Sequence, residues 1–192
     1  MVNINEMDKD DSQLITDYLA GDEPSFEILM NRHIKAVYNF AYRLVPKNVD
    51  IDDIVSETFF KVWKNLKKFR IGENFNTWLF TIARNTAYDK LRKHRNLSVS
   101  DFDNNEGGNY LTDTLTDAEP LAPDVLEQAE NKKIVQSLLA RISTDYREVL
   151  ILRYLNEFTF DDIGKILNKP LDTVKSQHRR ALILMRKMLE EK

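Results

Sequence analysis

The side chains best suited to bind a partner lie near the end of the chain, in the stretch NKPLDTVKSQHRRA from Asn168 to Ala181. A glutamine can pair with the edge of an adenine, an arginine with a guanine, and a lysine or serine with phosphate. The polar and basic side chains predicted to be exposed here are Thr173, Lys175, Ser176, Gln177, Arg179 and Arg180. Their chemistry indicates contact with the major groove of duplex DNA.

Two helices joined by a tight turn would have to present these side chains. A short helix is predicted over 160–167, because Thr159 and Asp162 have the spacing of a capping box. Pro170 blocks its continuation and Asn168 can adopt the left-handed turn that ends it, so a second helix runs from about 172 to 190. The apolar residues predicted to face inward are Ile163, Leu167, Leu171, Val174, Ala181 and Leu182, with Gly164 where the helices approach. This pattern describes a helix-turn-helix, although an ordinary helical hairpin of a bundle would look similar.

Charge is distributed unevenly along the chain, whose formal net charge is only -3. Residues 61–95 hold ten Lys or Arg against two acids, and residues 165–187 hold seven against one. Between them, residues 96–130 hold nine acids and no Lys or Arg. Clustered basic charge is typical of a protein that binds a polyanion, whatever the net charge. The alternative is that these side chains only solvate helix faces.

Composition excludes several classes of protein. The chain of 192 residues has no cysteine, which rules out disulfides, thiolate metal sites and a cysteine nucleophile. The three histidines lie in separate segments without zinc-site spacing, and neither a phosphate-binding loop nor a serine nucleophile elbow appears. We therefore expect no enzyme, cofactor or metal. The polar N-terminus and the lack of a long apolar run predict a cytoplasmic protein without a signal peptide or membrane insertion.

The predicted fold class is all-α, with two small helical domains joined by a flexible acidic linker and a C-terminal helix-turn-helix. The few Gly and Pro argue against a many-stranded sheet. The predicted boundaries are 1–96 for the first domain, 97–123 for the linker and 124–192 for the second domain. Apolar periodicity predicts helices over 12–20, 24–45, 51–66 and 76–94 in the first domain. In the second, helices over 123–142 and 146–156 precede the helix-turn-helix, with Ser143 and Thr144 as caps.

These segments together carry a resemblance to a known family. The first domain contains VDIDDIVSETFFKVWKNLKKF and FNTWLFTIARNTAYDKLRKHR, and the second contains DYREVLILRYLNEFTFDDIGKILNKPLDTVKSQHRRAL. In this order, from about Glu23 to Leu189, they closely resemble the bacterial RNA polymerase sigma factors of the extracytoplasmic-function (ECF) group. The resemblance implies a sigma factor that binds core RNA polymerase and directs it to specific promoters.

The resemblance also implies roles for residues of the first domain. Its acidic helix looks like the surface that docks on the clamp helices of the polymerase largest subunit, and the positions carried over are Asp52, Asp53, Glu57, Thr58, Phe59 and Trp63. Phe59 and Trp63 could instead be core. The following basic segment is similar to the part that melts promoter DNA and binds the minus-ten strand. Its implied contacts are Arg70, Asn74, Arg84, Asn85, Tyr88, Asp89, Arg92 and Lys93, with Asn85 matching a position that contacts a flipped-out base. Trp78 is expected to be core.

For the second domain, the resemblance implies that the minus-thirty-five element is read as duplex. The side chains that would contact it are Thr173, Lys175, Ser176, Gln177, Arg179 and Arg180. Gln177 and His178 stand where Arg and Leu often occur in the family, so base preference does not carry over. His178 is expected on the inward face as a semi-buried histidine. The apolar surface around Leu150, Tyr154, Leu155 and Phe158 resembles the region that docks on the flap of the second-largest subunit, with Tyr154 and Phe158 as its polymerase contacts and Leu150 expected to be core.

The implied partners are core RNA polymerase, promoter DNA and an anti-sigma factor. The acidic linker would thread through polymerase near the active site and RNA exit path, or serve only as a solvated tether. In this family the acidic segment and an anti-sigma protein commonly hide the promoter contacts, and the same is expected here. Two alternatives remain: a stand-alone helix-turn-helix regulator of duplex DNA, which leaves the first domain unexplained, and a helical interaction module.

Overall fold

The fold is seen in a computed structural model that describes residues 9–46, 48–99, 134–135 and 137–190. Within these ranges the named elements are helices, as the sequence predicts. They are α1 (Asp11–Leu19), α2 (Glu23–Leu44), α3 (Ile51–Asn65), a 3₁₀ turn (Leu66–Lys68), α4 (Phe75–Val99), α5 (Thr144–Tyr154), α6 (Phe160–Leu167) and α7 (Leu171–Glu190). Residues 137–141 are also helical. Most of the predicted helix over 123–142 and of the predicted linker lies outside the described residues, and α4 extends three residues past the predicted start of that linker.

Local sequence signals start several of these helices. The Asp10 carboxylate accepts from the backbone N–H of Gln13 at 2.8 Å, and that of Asp50 accepts from Asp53 at 3.2 Å. The Thr159 hydroxyl accepts from the backbone N–H of Asp162 at 3.2 Å, which confirms the predicted cap of α6. Each of these bonds satisfies a backbone donor that has no partner within the helix. Ser143 occupies the cap position of α5, but its side chain makes no capping hydrogen bond.

The N-terminal domain is built by α1 to α4, which pack in sequence order, α1 on α2, α2 on α3 and α3 on α4. Its core is rich in aromatic rings: Phe40 meets Phe80 edge-on at a centroid distance of 5.3 Å. Trp78 is half-buried against Phe69 and Phe75, as expected for a core residue. This packing anchors the first turns of α4 in the core of the domain.

The C-terminal domain folds around the helix-turn-helix. Asn168 adopts the left-handed conformation at φ 52°, and the backbone N–H of Lys169 then donates to the Gly164 carbonyl at 2.9 Å. Val174 and Ala181 of α7 are fully buried, as predicted. The prediction that Leu171 and Leu182 face inward is wrong, since they are 40% and 39% exposed. Leu171 lies at the turn itself, and Leu182 follows Ala181 by one residue, which rotates it by about 100° around the helix.

The two domains share a large hydrophobic core, and a second, smaller cluster around Leu150 and Ala181 lies within the C-terminal domain. Buried residues of α5 and α6, such as Ile151 and Ile163, join the same cluster as Phe40 and Leu79 of the N-terminal domain. Helix α4 packs on α6, and α2 packs on α5. The described chain therefore places the helix-turn-helix directly against the helix that carries the basic segment. No helix in the described ranges combines the length and apolarity that crossing a membrane would need.

Candidate nucleic-acid and polymerase interfaces

The first turns of α7 present a basic surface. Thr173, Lys175, Arg179 and Arg180 are exposed, while Ser176 and Gln177 are half-buried. Val174 and Ala181 hold the opposite side of the helix in the core, so the basic side chains must point outward. Among the described residues, Lys175, Arg179 and Arg180 take part in no ion pair. Within the described ranges, these three cations are thus available to a polyanion without breaking an ion pair.

Gln177 is less free than its basic neighbours. Its side-chain carbonyl accepts from the Lys169 ammonium at 3.3 Å, and its amide points at the Asp145 carboxylate at 3.5 Å. Lys169 in turn pairs with Asp145 at 3.2 Å. A base contact by Gln177 therefore requires exchange of these weak, solvent-accessible bonds.

His178 packs inside the C-terminal domain, as the sequence predicts. Its ring stacks on Tyr154 at a centroid distance of 5.6 Å and meets Phe160 edge-on at 5.0 Å. Its Nε2 lies 3.0 Å from the Tyr154 hydroxyl. Burial and the nearby Arg153 charge both lower the pKa of His178. The ring is thus favoured as a neutral packing element between α5 and α7.

The second basic surface lies on α4 and the loop before it. Arg70, Asn74, Asn85, Arg92 and Lys93 are exposed. The side chain of Asn74 also accepts from the backbone N–H of Thr77 at 3.1 Å, so this residue holds the start of α4 as well. Asp89 accepts from Arg92 at 2.9 Å, and the Lys61 ammonium lies 3.6 Å from its carboxylate.

Arg84 and Tyr88 differ from the rest of this surface because they face the C-terminal domain. The Arg84 guanidinium donates to both carboxylate oxygens of Glu148 in α5, at 2.8 and 3.3 Å. Its carbon also lies 4.6 Å above the Tyr88 ring. Burial and the Glu148 charge raise the pKa of Tyr88 to about 12. Two of the predicted minus-ten residues are thus engaged where α4 meets α5 of the C-terminal domain.

The predicted polymerase surface on α3 divides into an outer and an inner face. Asp52 and Asp53 are exposed, and Glu57 is half-buried. Thr58 and Phe59 are buried, so they can only support this surface from within. The exposed aromatic pair is instead Phe60 and Trp63, 57% and 50% exposed, with ring centroids 5.9 Å apart.

Lysines organise the carboxylates of α3. Glu57 accepts from Lys90 of α4 at 2.8 Å and from Lys61 at 3.0 Å, and Lys90 also pairs with Asp53. The hydrogen bond from Lys90, followed by that from Lys61, lowers the pKa of Glu57 to about 2. These ion pairs fix the acidic surface of α3 against α4.

The predicted flap-binding residues are also split. Tyr154 and Leu155 are exposed at the end of α5. Leu150 is buried, as expected for a core residue, and so is Phe158, whose ring meets Phe80 of α4 edge-on at 5.0 Å. In this arrangement Phe158 contacts the N-terminal domain and presents no surface to another protein.

Comparison with known proteins decides the family. Residues 29–97 match the model of Sigma-70 region 2, and residues 132–185 match that of Sigma-70, region 4. The ECF RNA polymerase sigma-E factor of Haemophilus influenzae is 30% identical over 188 residues, which cover 95% of this chain and 94% of the relative. The chain belongs to the ECF sigma factors.

Other relatives of this sigma factor agree over nearly its whole length. The ECF sigma factor SigW of Bacillus subtilis is 29% identical, over 89% of this chain and 92% of the relative. The solved structure of the sigma factor RpoE from Bartonella quintana, in complex with the anti-sigma factor NepR, is 28% identical. It covers 86% of this chain and 96% of that chain, with a TM-score of 0.68.

The two matched regions account for both basic surfaces. Region 2 contains α3 and most of α4, and region 4 contains α5, α6 and most of α7. As a sigma factor, the protein directs RNA polymerase to promoters, and sigma factors are DNA-binding regulators rather than enzymes. A stand-alone helix-turn-helix regulator would leave region 2 without a role.

Sequence reasoning missed the contacts that join the two regions. Besides Arg84 and Glu148, the Thr77 hydroxyl of α4 donates to Asp162 of α6 at 3.1 Å. One signal for Glu148 was present, because it stands directly before the apolar run VLIL in the middle of a helix. An acid beside such a run is often paired when buried.

Proposed function

We propose that this sigma factor reads promoter DNA through two helices, α7 on the duplex minus-thirty-five element and α4 on the melted minus-ten strand. The observation that carries the proposal is the exposed basic surface on the first turns of α7, where Lys175, Arg179 and Arg180 form no ion pair with another residue that the structure describes. A helix-turn-helix places these turns in the major groove, where Arg179 or Arg180 can reach guanine and Lys175 a phosphate. The exposure of this basic surface in the protein without DNA or polymerase supports a direct contact with duplex DNA.

The surface of α4 suits a single strand. Asn85 and Arg92 are exposed, and Asn85 carries both a donor and an acceptor for a base edge. The neighbouring loop contributes the exposed Arg70 and Asn74. A positive surface with base-binding groups is what an unpaired strand requires. Arg84, Tyr88, Asp89 and Lys93 complete the proposed minus-ten surface.

Docking on core polymerase is proposed through both regions. The acidic residues Asp52, Asp53 and Glu57 would meet a basic partner on the largest-subunit clamp, and Trp63 with Phe60 would supply the apolar contact. Thr58 and Phe59 would support this surface from within. In region 4 the exposed Tyr154 would contact the flap of the second-largest subunit, and Phe158 could join it only after the two domains separate.

The remaining proposals concern the cellular context. The protein would act on polymerase in the cytoplasm and be held inactive by an anti-sigma factor, as the complex of the Bartonella relative suggests by analogy. The domain boundaries at about 96 and 123 are proposed from the acidic charge of the stretch between them, its Gly, Asn, Asp and Pro residues and its lack of helical periodicity. The acidic stretch between them would be the linker that runs through the polymerase.

Run-off transcription tests the proposed function. Purified bacterial core polymerase, this protein and promoter fragments from its own genome should give specific transcripts, including one from its own upstream region. Asn85→Ala and Arg179→Ala should each abolish or strongly reduce them, because each removes a contact to one promoter element. Arg186→Ala is the matched control, since Arg186 lies on the same helix but pairs with Glu190 beyond the first turns.

Two results would contradict the proposal. If the protein failed to bind core polymerase while binding duplex DNA, the docking surfaces would be wrong. If transcripts persisted with Asn85→Ala and Arg179→Ala, the promoter contacts would lie elsewhere on the protein.

A further inference from the structure

A cavity of about 580 Å³ lies between the C-terminal half of α4 and the turn that joins α2 to α3. All the residues that line it belong to the N-terminal domain, so its walls come from a single domain. Ligand pockets in proteins have volumes of about 300–1,000 Å³. The cavity is therefore large enough to receive one unpaired base with its sugar.

The walls of the cavity are apolar and anchored in the core. Val49 is 7% exposed and belongs to the main core cluster, against which Tyr88 and Leu91 are packed. The backbone N–H of Val49 also donates to the carbonyl of Pro46 at 3.1 Å, which holds the turn in place. A base is flat, and in a binding pocket it stacks on aromatic rings or packs against apolar side chains. Tyr88 and its two aliphatic neighbours provide such walls.

The rim of the cavity carries Asn48, whose side chain is exposed. Its amide makes no hydrogen bond with another residue that the structure describes. The amide offers one acceptor oxygen and two donor hydrogens. An asparagine can bind the edge of an adenine through a donor and an acceptor at once. Asn48 can therefore read a base that enters the cavity, and adenine is the base that suits it best.

Arg92 supplies a cation beside this rim. Its side chain is 70% exposed, and it donates to the Asp89 carboxylate at 2.9 Å. An exposed pair of this kind contributes little to stability, so the guanidinium can exchange Asp89 for a phosphate at small cost. The cavity thus combines an apolar interior, an amide that can bind a base edge and a cation that can bind phosphate.

The cavity continues the surface of α4 that carries Asn85. Asp89 and Arg92 follow Asn85 by four and seven residues, so the three side chains share one face of the helix. Seven residues of an α-helix span about 10 Å, a distance that neighbouring nucleotides of one strand can bridge. A strand whose base contacts Asn85 can therefore bring an adjacent base to the cavity.

We propose that this cavity binds a second unpaired base of promoter DNA, an adenine that Asn48 reads from the turn between α2 and α3. Asn48 is then a specificity-determining residue that lies outside the loop and helix assigned to the minus-ten strand. The inference rests on the proposed binding of the melted strand by α4, and it adds a second base to the one that contacts Asn85.

Transcription from premelted templates tests for the second base. Holoenzyme is given a promoter from the protein's own upstream region, in which each base of the melted strand is replaced in turn by an abasic site. Removal of the base that enters the cavity should lower the transcript yield roughly tenfold. Asn48→Ala should lower the yield to the same extent on the intact template. At that one abasic position it should cause no further loss, because the two changes remove one interaction.

A second variant tests the reading of the base itself. The carboxylate of Asn48→Asp lacks the donor that adenine requires but can accept from the amino group of cytosine. It should therefore change the preference at that position from adenine to cytosine, which a loss of structure would not do. Asn31→Ala is the matched control, because Asn31 is exposed on α2 and does not line the cavity. It should leave the yield unchanged on every template.

Several results would overturn the inference. Asn48→Ala might as well act on folding if it lost the same factor on every template, abasic ones included, and no base would then be bound in the cavity. An unchanged yield with Asn48→Ala, or a retained preference for adenine with Asn48→Asp, would also contradict it. The proposed function is tested separately by Asn85→Ala, which should lose its effect at a different abasic position. If Asn85→Ala responded to no position, the proposed binding of the melted strand by α4 would itself be wrong.

Discussion

Helices α4 and α7 carry the two predicted DNA-binding surfaces, but they hold their arginines differently. Arg84 of α4 is bound to the fully buried Glu148 of the other domain. Arg179 and Arg180 of α7 are exposed and form no ion pair within the described residues. An arginine side chain therefore contributes to domain packing on α4, whereas on α7 it remains available to a polyanion. The surroundings of an arginine, rather than its presence in a motif, decide which role it has in the free protein.

The largest expected difference between the helices is in stability. Arg84→Ala should lower the free energy of unfolding by about 3 kcal/mol, because it leaves the Glu148 carboxylate buried without a partner. Arg179→Ala should change it by less than about 0.5 kcal/mol, as is usual for an exposed side chain. Urea unfolding of both variants checks this. Equal effects would mean that Arg84 is not structurally engaged.

For binding to duplex DNA, the large effect is expected on α7 rather than on α4. Arg179→Ala should weaken binding to a promoter duplex by about 2 kcal/mol, roughly thirtyfold, if it loses a guanine contact. Fluorescence anisotropy at a fixed salt concentration measures the change. Arg186→Ala, on the same helix, should have a much smaller effect. Comparable losses for the two arginines would indicate only nonspecific attraction to α7.

The position of α7 relative to α6 depends on Gly164. A substitution there is expected to have a smaller effect than the arginine variants. A methyl group at Gly164 would lie 2.9 Å from the Lys169 carbonyl oxygen and force the turn apart. Overpacking costs about 2 kcal/mol, and the better helix propensity of alanine returns about 1. Gly164→Ala should therefore destabilise the protein by roughly 1 kcal/mol and weaken duplex binding. A raised melting temperature would contradict the close approach.

The smallest effect is expected on the side of α4 that faces α3. The pKa of Glu57 falls from an ordinary 4.5 to about 2 through its bonds to Lys90 and Lys61. Its stabilisation is therefore complete above pH 4.5 and is lost as the pH falls towards 2. Because solvent screens these pairs, Glu57→Gln should cost only about 0.5 kcal/mol at pH 7.

The pH dependence provides the check on this pair. The stability difference between the unchanged protein and Glu57→Gln should shrink steadily from pH 5 to pH 3 in urea unfolding experiments. Glu27→Gln is the control, since Glu27 is exposed on α2 and forms no ion pair among the described residues. A difference that stayed constant over this range would show that the lysines do not hold the carboxylate.

The sequence predicts the helices well because their signals are local. Thr159, Asn168 and Pro170 act within one turn of their own positions, and the structure starts and ends α6 where they indicate. The family resemblance likewise rests on contiguous segments, which the matches to regions 2 and 4 confirm. Helical periodicity also identified the buried side of α7 at Val174 and Ala181, but it could not separate neighbours such as Ala181 and Leu182.

The contacts that candidate site residues make with the other domain could not be predicted from such local signals. Arg84 and Glu148 are 64 positions apart, and nothing in either segment specifies that the two domains meet there. Periodicity also placed Phe59 and Trp63 on one helix without deciding which of them is buried. Such questions depend on tertiary packing, which a single sequence does not encode in any local pattern.

One crossed transcription measurement tests the central claim that α4 and α7 read different promoter elements. Holoenzymes with Asn85→Ala or Arg179→Ala are compared on an intact promoter and on promoters altered in the minus-ten or the minus-thirty-five element. The account predicts that each variant loses transcription only where its own element is intact, so Arg179→Ala matches the unchanged protein once the minus-thirty-five element is altered. If both variants lost the same factor on every promoter, the division of labour between α4 and α7 would be wrong.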